Sequence, residues 1–264
     1  MNGFSAEPQV VDKTAATRLL HVAAILAKER TTPAWDFIMS SLGSTVLLIA
    51  QFAFLHGLDP SDDTVRYLAL ARAAFAFSGG QHLERSLIDG YMSGSLMMDV
   101  ITPLNPLAFI VARSFAGMLA SAAATLPSVL VAAFLFGGMP RMSWASAALY
   151  AISLIFVWLA STGIALISSA IGVALKQGEA AVQLRVFITQ AASGALIPVY
   201  LYPEWVQRVI RVLPFVHLAV TSVVIALGGS VSSMYAQIIW SAALLGIGIA
   251  LWRSRLARLD VYGG

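Results

Sequence analysis

Long apolar runs alternate with short polar connections along most of the chain. The first run goes from Phe37 to about Leu55 and is followed by the acidic stretch HGLDPSDDTVR, residues 56–66. Others run from about Val65 to Gln81, Leu107 to Phe136, Trp144 to Leu175, Val186 to Tyr200 and Met234 to Trp252. Runs of this kind predict membrane-crossing helices, six in all, within one transmembrane region over 37–252 of a single domain, 1–264. Pro127 is expected to kink the third, and Ala242, Gly246 and Ala250 to form a small-residue ridge on the last.

Three polar or mixed segments complete the pattern. Leu19, Val22 and Leu26 recur on one helical face among polar neighbours, which predicts a helix over 13–30 lying in the membrane interface, or else a soluble N-terminal helix. Residues 203–228 are neither a plain loop nor a plain span. Pro203 and Glu204 suit a helix start, Gln207, Arg208 and Arg211 share a face opposite Val206, Val209 and Val212, and Pro214 begins a second short piece. This predicts two half-length helices that dip into the outer leaflet and return, lying between the fifth and sixth spans.

The third segment, 83–106, carries Glu84, Arg85, Asp89 and Asp99 between two apolar runs. With its glycines and prolines it is expected to stand in water as a short polar loop, from which Tyr91, Met92, Leu96, Met97 and Met98 protrude as a docking surface for another protein. Asn105 and Pro106 read as the cap and first position of the following helix. The connection 176–185, KQGEAAVQLR, is likewise expected to be an aqueous loop.

Composition changes the picture in one respect: 59% apolar and 11% charged residues over 264 positions, with a mean hydropathy of +0.82, predict an all-α integral membrane protein. A net charge of +3 carries no nucleic-acid inference, and the lack of cysteine excludes disulfides and thiolate chemistry. Placing both termini in the cytoplasm puts Lys13, Arg18, Lys28, Arg30, Arg85, Arg113, Lys176, Arg185, Arg253, Arg255 and Arg258 at the inner face, and only Arg66, Arg141, Arg208 and Arg211 outside. The positive-inside bias favours that orientation.

Chemistry-bearing motifs are few. Ser78-Gly79-Gly80-Gln81 spells the core of the signature with which ABC-type ATPases contact ATP, but no lysine stands in a P-loop, so the four residues read as a small-residue helix end. The histidines, His21, His56, His82 and His217, fall in separate segments, and no metal or other cofactor is expected in the chain. Arg72 is the one ionisable group well inside a span, either functional or snorkelling outwards. Phe52, Phe54, Phe75 and Phe77 line a path for sugar rings or simply pack. Lys28, Arg30, Arg85 and Arg113 hold an anionic lipid-linked substrate or express the positive-inside bias alone. An intramembrane enzyme lacks paired carboxylates, and an ion-coupled secondary transporter lacks more than one candidate carrier group.

Thr102-Pro103-Leu104-Asn105-Pro106-Leu107 running into Ile110-Val111-Ala112-Arg113, then Tyr202-Pro203-Glu204-Trp205 through Leu213-Pro214-Phe215-Val216-His217, and the tail Gly248 to Arg253 together resemble the permease subunits of ABC-2-type exporters. The likeness is greatest to the capsular polysaccharide export permeases. Leu218 to Ser222 depart from that pattern, where a Glu and an Arg are expected, which leaves a lipid or drug exporter as the alternative. The resemblance implies a homodimer in the bacterial inner membrane bound to two copies of a separate ATPase, which supplies the ATP and magnesium sites. It implies that Ser86, Asp89, Tyr91, Met92, Leu96 and Met97 couple to that ATPase and that spans one and five meet at the dimer seam. The substrate path would draw on Lys28, Arg30, Arg72, Phe75, Phe77, Arg85 and Arg113. The cargo implied is a lipid-linked polysaccharide, handed to periplasmic and outer-membrane partners.

Overall fold

A computed structural model describes residues 34–94, 106–139 and 142–256. The expected interfacial helix, with Lys28 and Arg30, lies outside the described residues, as do Leu96 and Met97 of the expected docking loop. Among the described residues the regular structure is entirely helical: α1 Ala34–Leu58, α2 Asp62–Ala76, α3 Gly80–Met92, α4 Pro106–Leu135, α5 Trp144–Leu175, α6 Gly178–Ala192, α7 Glu204–Val212, α8 Val220–Ala226 and α9 Ser232–Leu256. Two 3-10 turns, Val199–Leu201 and Pro214–Leu218, join the later pieces.

Among the described residues four segments are long and apolar enough to cross a bilayer: Ser41–Leu58, Phe109–Leu135, Trp144–Leu175 and Ser232–Arg255. They fall in α1, α4, α5 and α9. The expected second and fifth spans are different. Each is represented by a 15-residue helix, α2 or α6, that breaks and continues in a new piece.

Local chemistry sets these boundaries. Ser61 caps α2 by accepting from the Thr64 N–H, and Asp62 and Asp63 sit in the first turn, where the helix dipole favours them. The helix stops at Phe77 because Gly79 adopts φ 47°. A Cβ on Gly79 would come within 2.5 Å of the Met118 backbone, and one on Gly80 within 2.8 Å of Ser161 Oγ. The SGGQ residues are therefore a close-packed helix junction. The connection between α5 and α6 is far shorter than the loop expected over 176–185. Lys176 turns left-handed at φ 53°, Gln177 N–H closes onto Gly172 O at 3.2 Å, and α6 begins at Gly178.

α5 is the axis of the bundle, with α3, α6, α8 and α9 packed around it. Its closest seam is with α9, where Gly163 lies against the Leu244 backbone and Gly248 against Gly163 O. The expected ridge of Ala242, Gly246 and Ala250 is instead turned away, and all three are exposed. α4 runs unbroken through Pro127 and packs on α1 and α2, where Phe52, Leu55, Leu68 and Ala132 are fully enclosed.

Many polar side chains inside this apolar body are paired, as burial away from water demands, whereas Glu84 Oε1 and Trp252 Nε1 are buried without a hydrogen-bond partner among the described residues. Gln237, Ser153 and Ser222 form a buried knot. Ser153 Oγ donates to Gln237 Oε1 at 2.9 Å, and Gln237 Nε2 donates to His217 O at 2.9 Å, which ties the Pro214–Leu218 turn and α8 to α5 and α9. On α7 the expected valine face is not the buried one. Ile210 turns inward, whereas Trp205, Val209 and Val212 are exposed along one stripe.

Candidate functional site

The segment expected to be a protruding loop is, up to Met92, the helix α3. Its apolar positions Leu83, Leu87, Ile88 and Tyr91 recur at helical spacing, and the face they form packs onto Ile110 of α4, Ala165, Leu166, Ala170 and Val173 of α5, Val182 of α6 and Trp252 of α9. The Tyr91 ring meets the Trp252 ring with centroids 6.5 Å apart, so this side chain is turned inward instead of protruding. Ser86 is half-buried. His82, Arg85, Asp89 and Met92 stand exposed on the opposite face, at offsets of three, seven and ten residues that one side of an α-helix presents together.

Glu84 contradicts the argument that its charge keeps the segment in water. Its side chain is 0% exposed and paired with Arg185 of α6, itself 9% exposed. Burial is tolerated because the guanidinium donates through both Nε, at 2.9 Å, and Nη2, at 2.6 Å, to Glu84 Oε2. Next to it Arg85 donates to Glu179 of α6 at 3.0 Å in the open. The same Glu179 carboxylate accepts a second hydrogen bond from Gln183 Nε2 at 2.7 Å. Neither cross-helix pair follows from the sequence pattern. The available signal is that 83–85 and 179–185 each contain one acid and one base.

Among the described residues, those expected to line a substrate path, Arg72, Phe75, Phe77, Arg85 and Arg113, lie in separate surroundings. Arg72 donates through Nε at 2.8 Å, and also through Nη2, to Gln51 Oε1, while Gln51 Nε2 donates to Ala195 O at 3.0 Å and Leu196 O at 2.7 Å. Arg72 thus completes a bridge from α1 and α2 to the unwound chain after α6, in place of snorkelling outwards. Phe75 and Phe77 are half-buried against the α5 core, and Phe52 is enclosed, with its ring centroid 6.1 Å from that of Phe136. Phe54 points outward. Arg113 lies 4.5 Å above the Phe109 ring, one turn back on α4.

A groove of about 350 Å³ opens between α5, α6 and the Pro214–Leu218 turn, walled by Ile164, Ile167, Ile171, Leu184, Ile188 and Phe215, with Gln177 and Arg185 among its few polar groups.

The family model described as ABC-2 family transporter protein matches residues 72–263, which takes in everything from the end of α2 onward. The chain belongs to the ABC-2 transporter family. Among curated proteins no sequence matches it. As an ABC-2 permease it is a multi-pass membrane protein and the transport subunit of an ABC transporter, and the family implies an ABC ATPase as partner.

Proposed function

We propose that this ABC-2 permease exports a lipid-linked polysaccharide of the capsular type across the bacterial inner membrane, as a homodimer driven by two ATPase subunits docked beneath it. In this reading the chain crosses the membrane six times with both ends in the cytoplasm. α2 with α3 makes the second crossing, and α6 with the Val199–Leu201 turn makes the fifth. α3 emerges at the cytoplasmic side, and its face of His82, Arg85, Asp89 and Met92 meets the ATPase.

The observation that carries the coupling role is the division of α3 into two faces. One is fastened to four other helices, and the other, from which Arg85 also reaches Glu179 of α6, is exposed and charged, so a push on the exposed face would be passed to the helices beneath it. The bias of basic residues toward that side supports the orientation. The polysaccharide rests on the motifs 102–113, 202–217 and 248–253. A hydrophobic cargo, lipid or drug, is the second reading, favoured by the apolar walls of the groove between α5 and α6.

Proteoliposomes holding the permease with its P-loop ATPase test both readings. ATP-dependent movement of a lipid-linked polysaccharide is expected, and Asp89→Arg, an exposed change, is expected to abolish movement while leaving membrane insertion intact. Movement of lipid or drug but not polysaccharide would move the protein to the second reading. Transport driven by a proton or sodium gradient without the ATPase would overturn both.

A further inference from the structure

Adjacent residues on α3 carry opposite charges, and each has its partner on α6. Glu84 is held by Arg185 and Arg85 by Glu179. One turn further along, Ile88 presses so closely on Gly178 that an added Cβ there would come within 2.3 Å of it. Partner numbers fall along α6 as they rise along α3, so the two helices run in opposite senses and are held by three contacts.

Of these grips the first is buried, with the Glu84 side chain fully enclosed and that of Arg185 nearly so where it borders the groove between α5 and α6. A buried ion pair adds little net stability over apolar residues of the same volume, because desolvating both charges offsets the attraction between them. What it does supply is register. Sliding α3 past α6 would strand a carboxylate and a guanidinium, unpaired, in an apolar interior, whereas aliphatic side chains would exchange one contact for another.

We propose that the Glu84–Arg185 pair, flanked by Arg85–Glu179, is a latch that makes α3 and α6 move as one body, so that displacement of α3 arrives at α6 undiminished. The inference rests on the reading of α3 as the element the ATPase pushes. Glu84 and Arg185 are then positioning residues that act through α3 and α6 and touch no nucleotide.

The absence of native cysteine allows spin labels to be placed without background from this chain. Ser93→Cys reports α3, Phe187→Cys reports the exposed side of α6, and Leu119→Cys on α4 is the reference. Distances are measured by pulsed electron resonance in the full complex, with and without ATP and vanadate. With the native pair, both the Ser93 and Phe187 distances are expected to shift on nucleotide trapping. In E84Q/R185Q the Phe187 shift is expected to vanish, while the Ser93 shift and the rate of ATP hydrolysis remain. The swapped pair E84R/R185E is expected to restore it.

A Phe187 shift as large in E84Q/R185Q as in the native chain would overturn the latch. If that variant does not assemble with the ATPase, the swapped pair decides, since assembly without the Phe187 shift overturns the proposal and assembly with it supports it. A Ser93 label that does not move in the native complex would instead overturn the coupling reading, and the latch with it.

Discussion

Gly163 and Gly246 sit in neighbouring helices and have opposite relations to the packing. A Cβ on Gly163 would meet the Leu244 carbonyl carbon at 2.4 Å, and backbone cannot swing aside as a side-chain tip can, whereas one on Gly246 would meet nothing within 4 Å. Gly163→Ala is therefore expected to cost about 1–3 kcal/mol by overpacking. Gly246→Ala is expected to be neutral or to add up to about 1 kcal/mol from helix propensity. Thermal unfolding of the two variants in detergent separates them. The sequence shows that the last span is rich in small residues, but not which of them meets α5. The spacing 242, 246, 250 looks as good as the buried 244, 248, and only the rotation of α9 against α5 decides between them. Asp59 makes the second residue-scale case. It accepts from Thr64 Oγ1 at 2.5 Å and from the Ser61 N–H at 3.3 Å, and these bonds, Thr64's foremost, hold its carboxyl below the usual range. A carboxyl depressed in the folded state stabilises the fold fully above its unfolded pKa, and that contribution is lost as pH falls through the folded value. Unfolding temperatures followed down through the acid range should therefore show a steeper fall for the native chain than for Asp59→Asn.

At the scale of elements, α3 is where reading the sequence was least complete. The spacing of Leu83, Leu87, Ile88 and Tyr91 is helical and legible, yet four charges and two glycines within a short stretch argue for water. Both arguments hold locally. What decides is a residue a hundred positions away, because Arg185 neutralises Glu84 and lets the helix lie against the bundle. Long-range pairing of that kind leaves no periodic trace. It has a measurable consequence. Arg185→Ala alone should cost about 3–5 kcal/mol, since it leaves a buried carboxylate without its counter-charge, while Arg185→Met combined with Glu84→Leu should cost much less. A double-mutant cycle on unfolding in mixed micelles reads the difference. α1, α4, α5 and α9 were legible because uninterrupted apolar length suffices to define them, but α2 and α6 end on backbone turns at Gly79 and after Ser193 that hydropathy does not register.

For the molecule as a whole, the class was legible from composition, and the family from short motifs whose order carries more than any of them alone. The interior was not. Residues singled out as a path, Arg72 and the four phenylalanines, are distributed between a structural bridge, the packed core and the outer surface, because an apolar run does not disclose which way each side chain faces. The polar knot of Ser153, Ser222 and Gln237 escaped notice for the complementary reason, as isolated serines and one glutamine look unremarkable in separate helices until the fold brings them together.

In the latch reading, the two-residue join of Lys176 and Gln177 that ties the near end of α6 to α5 is the point about which α3 and α6 turn together. α6 is then a rigid arm on a pivot. At 1.5 Å per residue, Arg185 stands about 10 Å out from Gly178 and Ala192 about 21 Å. In that reading a tug applied at Arg185 would swing the tip roughly twice as far, toward the stretch that Gln51 of α1 clasps.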